Sequence, residues 1–251
     1  MKRLLKLALA GLLAVSLVGC SSDTDTDSDT KTYIIATDKT YPPFEMEDDD
    51  GNLVGIDMDL IRAIAEDQGF EIEIQSLGFD AACTALESGE ADAVIAGMTI
   101  TDERAEKYDF SDEYYETGVT MGVLADSDID SYEDLEGQVV VAKTSTTGLA
   151  FAQSIEDEYG FTLEVVEESS LMFEKVKSGE AVACFEDTPV LKYQISTGEL
   201  DFATPCGNEE PSYYGFAVLK GENSELLEMF NAGLANLKES GEYDEILAAY
   251  E

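Results

Sequence analysis

Residues 58–96 read MDLIRAIAEDQGFEIEIQSLGFDAACTALESGEADAVIA, and this run decides the fold. Apolar side chains recur at helical spacing from Met58 to Gln68, and Gly69 stops the pattern. Glu71 to Gln75 alternates apolar and polar like a half-buried strand. Asp80 to Ser88 returns to helical spacing with Gly89 as its stop, and Ala91 to Ala96 is apolar enough for a buried strand. Just upstream, Tyr33 to Ala36 is a short β-rich run. Strand, helix, strand, helix, strand predicts an α/β fold with a doubly wound parallel sheet.

Outward from this unit the pattern breaks and then repeats. Tyr114 to Val123 is extended and rich in Tyr, Thr, Val and Gly. A helical turn at Ser131–Leu135 and a strand at Gln138–Ala142 follow, then a helix at Thr147–Tyr159 and a strand at Thr162–Val166. A helix at Leu171–Lys177 and a strand at Ala181–Phe185 complete a second unit of the same grammar. A second extended segment, Tyr213 to Leu219, precedes helices at Ser224–Ser240 and Tyr243–Ala249. The expected division is a first lobe of 32–113 and 215–251, a second of 119–209, and a hinge of 114–118 and 210–214. Two lobes on two crossovers make a cleft, the usual place for a ligand.

The N-terminus gives an address. Lys2, Arg3 and Lys6 precede an apolar run, Leu7 to Val18, that ends in Leu17-Val18-Gly19-Cys20. The run is short of the ~20 residues a spanning helix needs, so residues 1–20 read as a lipoprotein signal peptide with Cys20 as the lipidated residue. From Ser21 to Thr30 only Ser, Asp and Thr occur, so 21–31 is expected to be a solvated acidic tether. The mature protein is expected outside the cytoplasm, anchored to the cell membrane by its lipid.

Fifty-five acidic residues face 14 basic ones, and loss of Lys2, Arg3 and Lys6 takes the net charge from −41 to −44. Such a surface repels phosphate backbones, which excludes nucleic acid as a partner. The chain contains no His, which removes Ser-His-Asp and Cys-His catalysis and His-ligated zinc. Cys83, Cys184 and Cys206 match no metal-binding spacing, so neither metal nor cofactor is expected. Cys83 reads as core, while Cys184 and Cys206 leave both a disulfide and free thiols open.

Certain motifs, taken in order, resemble a family. Ala36-Thr37-Asp38 leads to Tyr41-Pro42-Pro43-Phe44; Gly55-Ile56-Asp57-Met58-Asp59-Leu60 follows. Ala96-Gly97-Met98-Thr99-Ile100-Thr101-Asp102-Glu103-Arg104, Asp109-Phe110-Ser111 and Glu186-Asp187-Thr188-Pro189 come later. Together they resemble the periplasmic-type amino-acid-binding proteins of ABC importers, a group with glutamine-, arginine- and lysine-binding members. The resemblance runs from about residue 33 to 250. It implies a monomer that holds a free amino acid, partners the permease subunits of an ABC transporter, and catalyses nothing.

An amino acid is a zwitterion, so its site needs a cation, an anion and a side-chain lining. Beyond the signal peptide the only Arg residues are Arg62 and Arg104. Arg62 sits beside Glu66 at i,i+4 spacing and reads as structural. Arg104 reads as the carboxylate clamp, because its planar fork can engage both oxygens; the resemblance implies the same. Asp187 ends a buried strand, where open α/β sheets place ligands, although such an Asp can also cap the next helix. The resemblance gives Asp187 the ammonium, helped by the Gly97 carbonyl and the Thr99 hydroxyl. Thr147 opens a helix whose free N–H groups suit an anion. Tyr41 and Phe79 stand, by resemblance, where aromatic rings sandwich the ligand side chain.

Specificity then falls on Asp38, Lys143 and Glu186. Asp38 with Lys143 is similar to the pairing in glutamine-binding members, an acceptor and a donor for the two ends of an amide. Glu186 departs from that pattern, since an added anion favours a cationic ligand such as arginine or lysine. Glutamine is preferred. Amino-acid dehydratases of the cyclohexadienyl type resemble these binders too, and for such an enzyme Glu186 would be the general acid. A receptor's sensing domain is the third alternative, against which no spanning or signalling module is expected after Glu251.

Overall fold

A computed structural model describes residues 31–250. The expected signal peptide, Cys20 and all but the last residue of the expected tether lie outside the described residues. The first elements are β1 (Thr32–Thr37), β2 (Met46–Glu47), β3 (Leu53–Val54), α1 (Ile56–Gln68), β4 (Glu71–Ser76) and α2 (Phe79–Ser88). β5 (Ala93–Val94), α3 (Asp102–Lys107) and β6 (Tyr108–Phe110) follow. The second unit comprises β7 (Tyr115–Leu124), a 3₁₀ turn (Tyr132–Leu135), β8 (Val139–Lys143), α4 (Thr147–Tyr159) and β9 (Thr162–Val166). It continues through α5 (Ser169–Lys177), β10 (Ala183–Asp187), α6 (Thr188–Ser196), β11 (Phe202–Ala203) and β12 (Glu209–Tyr214). The chain then returns through β13 (Ala217–Leu219) to α7 (Ser224–Ser240) and α8 (Glu242–Ala248).

Two large sheets result, each inside its own α/β lobe, and β2 and β3 pair separately as a two-stranded antiparallel ribbon. The first has the order β4-β1-β5-β13-β6, with β4, β1 and β5 parallel and β13 antiparallel to its neighbours. The second has the order β11-β7-β10-β8-β9, with β12 also paired to β7. The strand β13, drawn from after the second unit, thus completes the first sheet. Burial follows position: β10, flanked on both edges and both faces, is buried at every residue, whereas the edge strand β4 alternates.

The helices begin and end where local chemistry dictates. Gly69 closes α1 in the left-handed conformation, with its N–H on the Ala65 carbonyl. On α7, Phe230 stacks on Phe216 of the first lobe at 4.3 Å between ring centres, anchoring the tail helices there.

Several elements differ in extent from expectation. The strand foreseen at Ala91–Ala96 pairs only at Ala93–Val94, because the backbone turns away at Gly97, whose φ is +52°. α1, α2 and α5 each start one or two residues earlier than their apolar periodicity indicates. Arg104 lies on a short helix: the Thr101 hydroxyl accepts the Arg104 backbone N–H at 3.1 Å and starts α3. Arg62 pairs with Asp59 at 3.6 Å and donates to the Leu53 carbonyl, so its partner is not Glu66. Cys184 and Cys206 are free thiols. They face opposite sides of the second sheet, Cys184 toward Met172 and Leu191, Cys206 toward the Phe151 and Phe185 cluster.

Candidate functional site

The carboxyl ends of β1, β5, β8 and β10 meet between the lobes. There a cavity of about 20 Å³ is lined by Asp38, Tyr41, Phe79, Gly97, Thr99, Arg104, Lys143, Thr147 and Asp187, with Ala96 and Thr146. Nine of the ten sequence-predicted ligand-binding residues therefore converge. Its volume suits one water-sized group, so the lobes are closed upon each other. A larger groove of about 540 Å³ opens beside it, past Phe79, Arg104, Ser145 and Thr147. A further cavity of about 630 Å³, lined by Pro43, Tyr115, Pro189, Lys192 and Tyr193 among others, contains none of the ten.

Asp38 follows β1 and Lys143 ends β8, and their side chains meet across the cleft at 2.5 Å, both almost fully buried. Burial pulls the Lys143 ammonium toward neutrality, but the charge and hydrogen bond of Asp38 outweigh it, and Lys143 titrates above the usual lysine range. The same ammonium lies 5.3 Å from the Tyr41 ring centre and 5.8 Å from that of Phe79. Lys143 therefore occupies the space between the two aromatic walls.

Arg104 bridges the lobes as well. It donates to the Thr99 carbonyl at 2.8 Å and to the Ser145 carbonyl at 2.9 Å, while its guanidinium lies 5.2 Å from the Phe79 ring centre. Its side chain makes no ion pair with Asp102 or Glu103 among the described residues. The Gly97 backbone N–H is fixed by Asp57 at 2.7 Å, and a β-carbon there would come within 2.7 Å of the Tyr41 ring, so only glycine fits.

Asp187 is buried at the last position of β10 and makes no side-chain cap to α6. Its carboxylate instead accepts from Thr147 Oγ1 at 3.1 Å and from the Tyr214 hydroxyl at 2.5 Å. Burial raises its pKa and these donors oppose the rise. Thr147 thus bonds to Asp187.

Glu186 is buried but does not line the cavity; it stands behind Tyr41. One oxygen accepts from the Tyr41 hydroxyl at 3.1 Å and from the Asp187 N–H at 2.9 Å, the other from Ser169 Oγ at 2.9 Å. Burial, then the Asp187 charge, pushes its pKa up to about 7. Sequence reasoning missed Tyr214, Asp57 and Ser169. Tyr214 carried a faint signal: in an extended strand one of Tyr213 and Tyr214 must face inward, and here Tyr213 is 41% exposed while Tyr214 is fully buried.

The family model for bacterial extracellular solute-binding proteins, family 3, matches residues 33–251. The arginine-binding extracellular protein ArtP of Bacillus subtilis is 34% identical over 249 residues, covering 98% of this chain and 96% of that protein. The second substrate-binding domain of GlnP from Lactococcus lactis, solved in an open conformation, is 41% identical with a TM-score of 0.62, covering 87% of this chain and 94% of that one. An ancestral arginine-binding protein, solved with glutamine and with arginine, is 38% identical with TM-scores of 0.80 and 0.81, covering 87% of this chain and 97% of that one.

Proposed function

Since the chain belongs to family 3 of the bacterial extracellular solute-binding proteins and serves as an amino-acid-binding component of an ABC transporter, we propose that its ligand is glutamine, held by closure of the two lobes. The observation that carries this reading is the Asp38–Lys143 pair between the Tyr41 and Phe79 rings. A buried ammonium at the side-chain end repels arginine or lysine, whereas an amide can accept from Lys143 and donate to Asp38. Glu186 does not offset this, because its oxygens are occupied by Tyr41, Ser169 and its neighbour's N–H. The names of several relatives favour a second reading, arginine; it requires Lys143 to withdraw and leave Asp38 for the guanidinium.

In the mechanism we infer, the open protein takes the ligand on its first lobe. Arg104 receives the carboxylate, the Gly97 carbonyl and Thr99 hydroxyl receive the ammonium, and Tyr41 and Phe79 flank the side chain. The second lobe swings about segments 114–118 and 210–214, bringing Asp187, Lys143 and Thr147. Arg104 exchanges the Ser145 carbonyl for the ligand carboxylate, and Asp187 exchanges Thr147 for the ammonium. The closed shape is what the permease recognises. The chain works as a monomer, anchored through lipid on Cys20, and binds without covalent chemistry.

Thermal-shift screening of the purified protein against the twenty amino acids, ornithine, citrulline, cystine and prephenate tests this, because a ligand of the folded state raises the melting temperature. Glutamine should give the largest shift. A dominant shift with arginine or lysine transfers specificity to Asp38 alone, one with prephenate favours the enzyme reading, and no shift with any amino acid refutes the binding reading itself.

A further inference from the structure

Glu186 takes no part in the mechanism above, yet its carboxyl group joins the two lobes. Tyr41 follows β1 of the first sheet, and Glu186 lies on β10 of the second. The Tyr41 hydroxyl donates to Glu186 Oε1 at 3.1 Å, and both residues are buried. The bonds of Lys143 to Asp38 and of Arg104 to Ser145 cross the cleft too, but in that mechanism both pass to the ligand. The Tyr41 bond does not, since Glu186 stands outside the cavity and Tyr41 meets the ligand only through its ring.

Each half of this bond is held within its own lobe. In the second lobe Ser169, the first residue of α5 and 3% exposed, donates through Oγ to Glu186 Oε2 at 2.9 Å, and the Asp187 N–H donates to Oε1 at 2.9 Å. Both oxygens thus have a donor without Tyr41, and the carboxyl group stays aimed when the lobes part. In the first lobe the Tyr41 N–H donates to the Glu45 carbonyl at 2.7 Å and the Tyr41 carbonyl accepts from the Glu45 N–H at 3.1 Å. The Tyr41 ring lies so close to Gly97 that a β-carbon there would come within 2.7 Å of it. Donor and acceptor are therefore prearranged, and closure brings them together with little further loss of side-chain freedom.

We propose that Glu186, aimed by Ser169, is a positioning residue that fixes the Tyr41 wall across the cleft and favours the closed state whichever amino acid is bound, or none. Such a bond shifts the balance between open and closed forms. With it shifts the affinity of every ligand that the closed form holds, rather than their ranking. Ser169 gains an effect on binding although it lines no part of the cavity. The inference rests on the lobe-closure reading and not on the choice of glutamine.

The test uses the full-length chain in detergent micelles at about pH 8, where Glu186, lifted by burial to about 7, is mostly ionised. Spin labels attached by non-cysteine chemistry to exposed positions of α2 and α4 report the distance between the lobes without ligand. Tyr41→Phe keeps the ring and removes the hydroxyl. It should lower the ratio of closed to open molecules about tenfold, or ~1.4 kcal/mol, near the low end for a bond to a charged acceptor. Ser169→Ala should lower the ratio too, and the double variant should match Tyr41→Phe, because Ser169 acts through that bond. An unchanged ratio in Tyr41→Phe, or a free wild type with no closed molecules, overturns the proposal, and additive losses overturn the role of Ser169. Should one variant fail to fold, the other decides. Calorimetry should then find every amino acid that binds the wild type weakened in each variant by one common factor of up to tenfold, and a loss confined to one amino acid refutes an effect common to all. If no amino acid binds the wild type, the binding reading falls, while the distances, measured without ligand, still decide the proposal.

Discussion

Replacing Lys143 with Met isolates the feature on which specificity turns. The Lys143 and Asp38 side chains are 4% and 2% exposed and meet at 2.5 Å. Methionine keeps the length of the side chain and its packing against Tyr41 and Phe79 but strands the Asp38 charge in a dry site. Removing one partner of a buried pair costs about 3–5 kcal/mol, mostly the cost of the orphaned charge. At roughly 2–4 °C per kcal/mol for a chain of this size, the melting temperature should fall by ~6–20 °C. Adding Asp38→Asn should recover most of that loss, because it removes the orphan. In calorimetric titrations, Lys143→Met should weaken glutamine by ~100-fold, about 2.7 kcal/mol, and gain affinity for arginine, whose cation replaces the missing ammonium. A double variant less stable than Lys143→Met would refute the orphan-charge argument. Unchanged glutamine affinity with no arginine gain would refute the specificity argument.

Other consequences are testable in the same assays. Arg104→Ala should abolish binding of every amino acid, since each charge-assisted bond to a carboxylate is worth about 1.5–3 kcal/mol; retained affinity sinks the clamp assignment. Glu186→Gln should alter the ranking of ligands by only a few fold, because Glu186 reaches the cavity through Tyr41. A hundredfold change would place it in direct contact with the ligand. Glu186 and Asp57, pushed up to about 7, hold protons in the folded state that the unfolded chain releases near pH 4. Raised acids make folding less favourable as pH climbs from the unfolded to the folded value. The urea midpoint should therefore fall as pH climbs from about 4.5 through 7, whereas a rising midpoint contradicts the burial of these groups.

Much of this was legible in the residues because the fold is written in short-range patterns. Gly69 and Gly89 end helices for local steric reasons, and β-rich runs between helices leave a parallel sheet as the natural arrangement. That nine of the ten candidate residues gather at one cavity was legible for a different reason, the order of motifs such as the run from Ala96 to Arg104, which spacing alone would not have assembled. What stayed hidden depends on distant partners. Nothing near Tyr214 in the chain announces a bond to Asp187, and Asp57 reads as an ordinary acid in the first turn of a helix until Gly97 folds onto it. The partner of Arg62 was misjudged because Asp59 and Glu66 lie on the same helix, and only the nearby Leu53 carbonyl draws the guanidinium toward the helix start. The separation of Cys184 from Cys206 depends on the whole lobe, since Cys184 lies on β10 and Cys206 in the turn between β11 and β12, packed against a different cluster.

The side chains that would greet a ligand are already bonded, Lys143 to Asp38 and Arg104 to Ser145 across the closed cleft, Thr147 and Tyr214 to Asp187 on its second wall. The protein thus carries its own competitor. An incoming solute must displace an occupant tethered at a fixed, high local concentration, so measured affinity is the margin between two rivals rather than the strength of one grip. Loosening the internal rival would tighten capture without touching a single contact to the solute, and strengthening it would turn the same pocket into a selective filter that answers only to the molecule able to replace every one of those bonds.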